Sequence, residues 1–189
     1  DFLLKKGHNV KVYNSSLIQK EILRTIDKNC KFIISNFSLL HQENVDFIRE
    51  NFQYIIYEHD HKYLLHRNPA LYKEFAAPNE DIINRLFYEK ANKVFCQSSL
   101  HENIINKNLN LKNTFNVSGN FWSDEEFELM RALSFKNKEE RCSIVYSNNA
   151  HKNSNDAIQY CKSKNLNYNL VSDPDYKTFL NKMSNSNCL

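Results

Sequence analysis

Short apolar runs alternate along this chain with segments whose apolar residues recur at helical spacing. The runs VKVY (10–13), KFIIS (31–35), YIIY (54–57), KVFCQ (93–97), TFNV (114–117), CSIVY (142–146) and YNLV (168–171) predict strands. Between them, SLIQKEILRTI sets Leu17, Ile18, Ile22 and Ile26 on one stripe, with Ser16 and Gln19 as a capping box. ENVDFIRENF does the same with Val45, Ile48 and Phe52, and EDIINRLFYEKA with Ile82, Ile83, Leu86 and Phe87. Ser99 with Glu102, Ser123 with Glu126, and Asp173-Pro174 mark further helix starts. The opening DFLLKKGHNV reads as the last turns of a helix.

Strands alternating with helices predict βαβ units and a mostly parallel sheet, hence an α/β class. The strands are compact apolar runs, as expected where both sheet faces are covered. Around 120–141 the pattern changes to a helix followed by the charged stretch SFKNKEER. The expected organisation is a first domain over 1–119, a connecting helix and linker over 120–141, and a second α/β domain from 142. The second part buries too little surface to stand alone, and NSNCL reads as the opening of another strand. The chain is therefore expected to be truncated at both ends.

Composition narrows the class. The chain has 189 residues, 41% of them hydrophobic, and a net charge of +3 from intermixed acids and bases. No apolar run reaches the roughly 20 residues that span a bilayer. No basic run with interleaved aromatics points to nucleic acid. A cytoplasmic protein is expected, with peripheral contact to acidic lipid at most. The five Cys are scattered and never CxxC, and Cys96 and Cys142 fall inside strand runs as small buried hydrophobes. Only two Gly occur, which excludes a Gly-rich phosphate loop. Asn is expected to replace Gly at turns and helix ends.

Two polar clusters carry candidate chemistry. YIIYEHDHKYLLHR (54–67) places Glu58, His59, Asp60 and His61 directly after a strand, at the sheet edge where α/β ligands bind. His59 and His61 with Asp60 and Glu58 contain zinc-ligand types, but neither HExxH nor a complete HxHxDH is present. A His at a strand end beside a carboxylate also suits a general base. A polar loop that caps backbone groups is equally compatible. NNAHKNSNDAI (148–158) leads from a strand into a helix, whose N–H groups with Lys152 would favour a phosphate; an ordinary Asn-rich loop is the alternative. Tyr54, Tyr57, Tyr63 and Tyr72 suit packing, and sugar stacking as well.

Several stretches resemble the retaining glycosyltransferase family of GT-B fold, which has two facing Rossmann-like domains. They are LLKKGHNVKVY, KANKVFCQSSLHENIIN, the strand-end His59-Asp60 pair, NVSGNFWSDEEF and IVYSNNAHKNSNDAIQYCKSKN. The resemblance implies an acceptor-side domain and the beginning of a nucleotide-sugar-binding domain. It implies catalysis by His59 with Asp60 as its partner, and an acceptor cleft lined by Glu58, His61, Lys62, Arg67 and Asn120. Lys152, Asn148 and Asn149 would lie at the donor diphosphate. Lys152 matches the family's lysine, while Ser147, Asn148 and Asn149 occupy the region of its arginine. The family's Gly-rich loop would precede Asp1, and its donor-binding Glu segment would follow Leu189. The implied reaction moves a sugar from a nucleotide-sugar, as co-substrate, to a hydroxyl of a glycan, lipid or protein, with no cofactor and no metal. A non-catalytic binding module and a sugar-nucleotide epimerase are the competing readings.

Overall fold

A computed structural model describes residues 2–120, 122–138, 140–149 and 152–188. The chain divides into two compact units, Asp1–Phe121 and Trp122–Leu189. The first begins with α1 (Phe2–Lys5), which ends at Gly7 with φ +82°, as a helix terminus requires. It continues through α2 (Lys20–Thr25), β1 (Lys31–Ile34), α3 (Gln42–Asn51) and β2 (Gln53–Tyr57). Three 3-10 turns over 69–81 lead to α4 (Arg85–Lys90), β3 (Lys93–Cys96), α5 (Ser99–Leu109) and β4 (Thr114–Asn116).

The four strands form a parallel, Rossmann-like α/β sheet in the order β1-β2-β3-β4. Alternation within each strand separates its two faces. Ile34, Tyr54, Ile56, Val94 and Cys96 are buried on one face. There they join Leu23 of α2, Val45 and Ile48 of α3, Phe87 and Tyr88 of α4, and Ile105 and Leu109 of α5 in one core. Each fully buried side chain of this size stabilises the fold by about 1.5–3 kcal/mol. On the other face the register aligns Tyr57 with Phe95 and Phe95 with Phe115. Phe115 and Ile33 stay exposed there.

The second unit holds α6 (Asp124–Ser134), β5 (Glu140–Val145), α7 (Ser154–Ser163), β6 (Tyr168–Val171), α8 (Tyr176–Met183) and β7 (Ser186–Cys188). Its sheet is parallel in the order β6-β5-β7, so NSNCL does open a strand. Cys142, Ile144 and Cys161 form its small core. The expected connector over 120–141 supplies α6, which carries the expected Ser123–Glu126 capping box and packs on α8. Among the described residues, no helix is long and apolar enough to cross a membrane.

Several elements depart from expectation for local reasons. Residues 10–13 form no strand: Val12 is 92% exposed, so its apolar side chain gains nothing from pairing. The Ser16–Gln19 box does not form, because Asn14 Oδ1 takes the Ser16 N–H and hydroxyl, and α2 starts at Lys20. Asn79–Asp81 is a 3-10 turn, and Ile82 bridges Leu64 instead of extending a helix stripe. The cap of α5 is Ser98 rather than Ser99, and the cap of α8 is Asp175, whose own N–H is held by Asp173. Asn does replace Gly: Asn84, Asn110, Asn153 and Asn165 all have φ near +50°.

Candidate functional site

The carboxyl ends of β1 to β4 meet along one edge of the first sheet, and the loop after β2 dominates it. Glu58 continues the ladder through its N–H, which donates to the Phe95 carbonyl at 2.9 Å. The Glu58 side chain then turns inward and is fully buried. One carboxylate oxygen accepts the backbone N–H of His59 (3.1 Å), Asp60 (3.0 Å) and Lys62 (3.3 Å). The other accepts the Tyr88 hydroxyl in a short hydrogen bond. Burial, and then the adjacent Glu58, push the Tyr88 phenol well above its usual range, so it stays a donor. Glu58 therefore works as an internal cap for the loop.

Lys62, also buried, is the counterion. Its ammonium lies 3.5 Å from Glu58 and 2.5 Å from Asp60. Arg67 closes the chain of charges at 3.2 Å from Asp60 and donates to the Ser38 hydroxyl at 2.7 Å. The two acids and two bases sum to zero, which is what makes the buried pair tolerable. Burial pushes the Asp60 carboxyl up, but its hydrogen bond and charge contact with Lys62, helped by Arg67, outweigh that and hold it below the ordinary value.

These contacts correct three expectations. Glu58 and Lys62 do not line a cleft, because desolvated ions bond each other and the backbone in preference to facing outward. Asp60 does not orient His59, because its oxygens face Lys62 and Arg67. The polar-loop reading thus accounts for half of the cluster. His59 remains exposed, edge-on to Tyr57 with ring centroids 4.8 Å apart. Partial desolvation of the ring against the strand end, and then the Lys62 charge, lower its pKa even though the residue is exposed, which favours the neutral imidazole at pH 7. Arg67 is exposed, as is His66. Asn120 reaches the same edge from the end of β4, where its side-chain oxygen accepts the Gln97 amide at 2.5 Å. The Tyr57 hydroxyl donates to the Gly119 carbonyl at 3.2 Å. Tyr54, Tyr63 and Tyr88 are packing residues, with Tyr54 stacked on Phe87 at 4.7 Å.

One residue of this edge escapes a reading by local pattern. His101, in the first turn of α5, is buried and lies against His61 with ring centroids 4.6 Å apart. Its Nδ1 accepts the Gln97 N–H at 3.4 Å, and its Nε2 has no hydrogen-bond partner among the described residues. His61 Nδ1 meets the Tyr63 hydroxyl at 2.9 Å. The signal for His101 is positional: adjacent parallel strands bring the β2 and β3 turns to one edge. Among the described residues, no group of three or more His, Cys, Asp or Glu is placed to hold a metal ion.

The second cluster lies in the other unit. Tyr146, Ser147, Asn148, Asn149, Asn153 and Ser154 line most of a shallow cavity of about 340 Å³ at the start of α7. Buried Ser154 ties the turn together, accepting the Ser147 N–H at 3.1 Å and donating to the Val145 carbonyl at 2.9 Å. Lys152 is exposed beside this cavity and is not part of its wall. Asp156 lines it and brings a negative charge to the first turn. Ala150 and His151 lie outside the described residues. No protein family, curated protein or solved structure matches this chain.

Proposed function

We propose that this chain is part of a GT-B glycosyltransferase, which moves a sugar from a nucleotide-sugar to an acceptor hydroxyl. The supporting observation is His59. It is the solvent-facing imidazole at the carboxyl end of an internal parallel strand, where α/β folds bind ligands, and its lowered pKa keeps it a proton acceptor at pH 7. In this reading His59 takes or orients the acceptor hydroxyl, and Arg67 and Asn120 flank it. His61 supports the loop from behind. The start of α7 would face the donor diphosphate, with its N–H groups and Lys152 offsetting the leaving-group charge. The sugar, the base and the acceptor are open to assay.

The test uses the protein that carries this chain, incubated with a panel of nucleotide-sugars and acceptors and followed by mass spectrometry of products. Transfer to an acceptor is expected. Conversion of the donor without an acceptor would identify an epimerase instead. His59→Ala is expected to lower turnover by roughly 10²–10⁴-fold with the fold intact, and unchanged turnover removes His59 from the mechanism. Lys152→Ala is expected to weaken nucleotide-sugar binding. Two observations favour the second reading, a non-catalytic binding module: Asp156 opposes an anion at the α7 start, and Ser147, Asn148 and Asn149 stand where the family has its arginine. Absence of saturable nucleoside-diphosphate binding would decide for it.

A further inference from the structure

The loop after β2 is held in an unusual state. His61 has φ +53° and Arg67 φ +52°, left-handed conformations that residues other than Gly and Asn adopt at a cost. What holds His61 there is its surroundings: the Tyr63 hydroxyl on Nδ1, the His101 ring against its own, and the Glu58 cap on the residues either side. His101 is in turn fixed by Ser98, whose hydroxyl accepts its N–H at 3.1 Å, and by Gln97. The two rings lie at 4.6 Å with the buried Nε2 of His101 unpartnered. This arrangement suits two neutral imidazoles. Charging both puts like charges side by side, His101 buried and His61 half-buried, with the Lys62 ammonium acting on each.

We infer that the His61–His101 pair is a proton-sensitive latch, which holds the strand-end loop closed while both rings are neutral and releases it when they protonate. This goes beyond the proposed reaction and does not depend on it. The groups bearing on the latch are Glu58, His59, Asp60 and Lys62 on the loop, with Arg67 at its far end, and Tyr63 just inside it. His101 on α5 and Tyr88 on α4 complete the set. Glu58 and Asp60 favour the charged imidazoles, but burial prevails. It is the first cause lowering both pKa values, and His61 is brought down to about 4.

The sign follows from linkage. A histidine whose pKa is depressed in the closed state stabilises that state above its ordinary value near 6.5, and the contribution is lost as pH falls from there towards about 4. Within that window the opening constant rises by at most about 10-fold per pH unit for His61, and by less near either end. His61 alone therefore gives about 40-fold between pH 6.5 and 4.5.

The experiment is amide hydrogen exchange on this chain, corrected for intrinsic rates, at Lys62 and Leu64, which donate to the Glu58 carboxylate and the His61 carbonyl. Protection is expected to fall about 40-fold or more from pH 6.5 to 4.5, while Ile56 and Val94 in the sheet hold theirs. His61→Asn, which keeps a residue tolerant of positive φ, is expected to remove most of the dependence, and H61N with His101→Gln to leave no more than the small part carried by the exposed His59. His59→Gln is expected to leave most of it in place. Protection independent of pH in the wild type, or dependence that keeps its full size in the double variant or disappears with His59→Gln, overturns the latch.

Discussion

Replacing Tyr88 by Phe removes one oxygen from the centre of the first unit and leaves its ring in place. The ring is fully buried and packs edge-on to Phe37 and Tyr63, at 6.0 and 5.7 Å, contacts that Phe retains. What is lost is a single hydrogen bond to a carboxylate that water cannot reach. Hydrogen bonds to charged groups contribute about 1.5–3 kcal/mol, and Glu58 keeps its three backbone donors and Lys62, so a loss of about 2 kcal/mol is expected. Glu58→Ala is the contrasting change. It leaves a buried phenol and the loop N–H groups without their acceptor and the buried Lys62 ammonium with Asp60 alone, and breaking a buried pair in this way costs about 3–5 kcal/mol. The sole tryptophan, Trp122, lies in the other unit, so its fluorescence does not read this change directly. Amide exchange at Ile56 and Val94 under increasing urea does. If Tyr88→Phe loses less than about 0.5 kcal/mol, or Glu58→Ala loses no more than Tyr88→Phe, then Glu58 is not the cap on which the loop is built.

Other changes test single contacts. Ser98→Ala removes the α5 cap and the hold on the His101 N–H; it is expected to lower stability by about 1 kcal/mol, read by urea unfolding, and to broaden the His101 ring resonances. Ser123→Ala breaks the α6 capping box, with about 1 kcal/mol lost from the second unit, followed by Trp122 fluorescence. Asp60→Asn removes the partner shared by Lys62 and Arg67; the Arg67 side chain is expected to gain mobility on the nanosecond scale by NMR relaxation. Asn110→Gly at the left-handed end of α5 is expected to change stability by less than about 1 kcal/mol, since both residue types accept that conformation.

Sequence pattern sufficed for the sheet. Six strand runs lie within a residue or two of the observed strands, and all but β4 put side chains into a core that must be filled. Pattern misled where an apolar residue had nothing to pack on, as with Val12, or where a local hydrogen bond outran a helix, as with Asn14 against the Ser16 cap. The site was legible in place but not in role. Sequence puts Glu58-His59-Asp60-His61 at a strand end, and it lies there. It does not disclose which of four polar neighbours turns inward. That depends on Tyr88, thirty residues away, presenting a hydroxyl beneath the strand end. His101 is more remote still in sequence from His61 and meets it only because β2 and β3 are adjacent.

The division of labour within this loop follows from that inward turn. A run of acids, bases and imidazoles at a sheet edge invites each of them to be read as chemistry. Here Glu58 and Lys62 neutralise each other below the surface, and Asp60 and Arg67 extend the same balance outward. The ions oppose one another at His59, Lys62 lowering its pKa and Glu58 and Asp60 raising it, and desolvation sets its proton affinity more than any one charge does. An imidazole kept neutral in this way suits accepting a proton from a hydroxyl better than holding an anion. A pH profile of the proposed transfer is therefore expected to show its acidic limb below 6.5, since protonation disables His59 only beneath its lowered pKa. An acidic limb above 6.5 would mean that a different group, or a charged His59, governs the reaction.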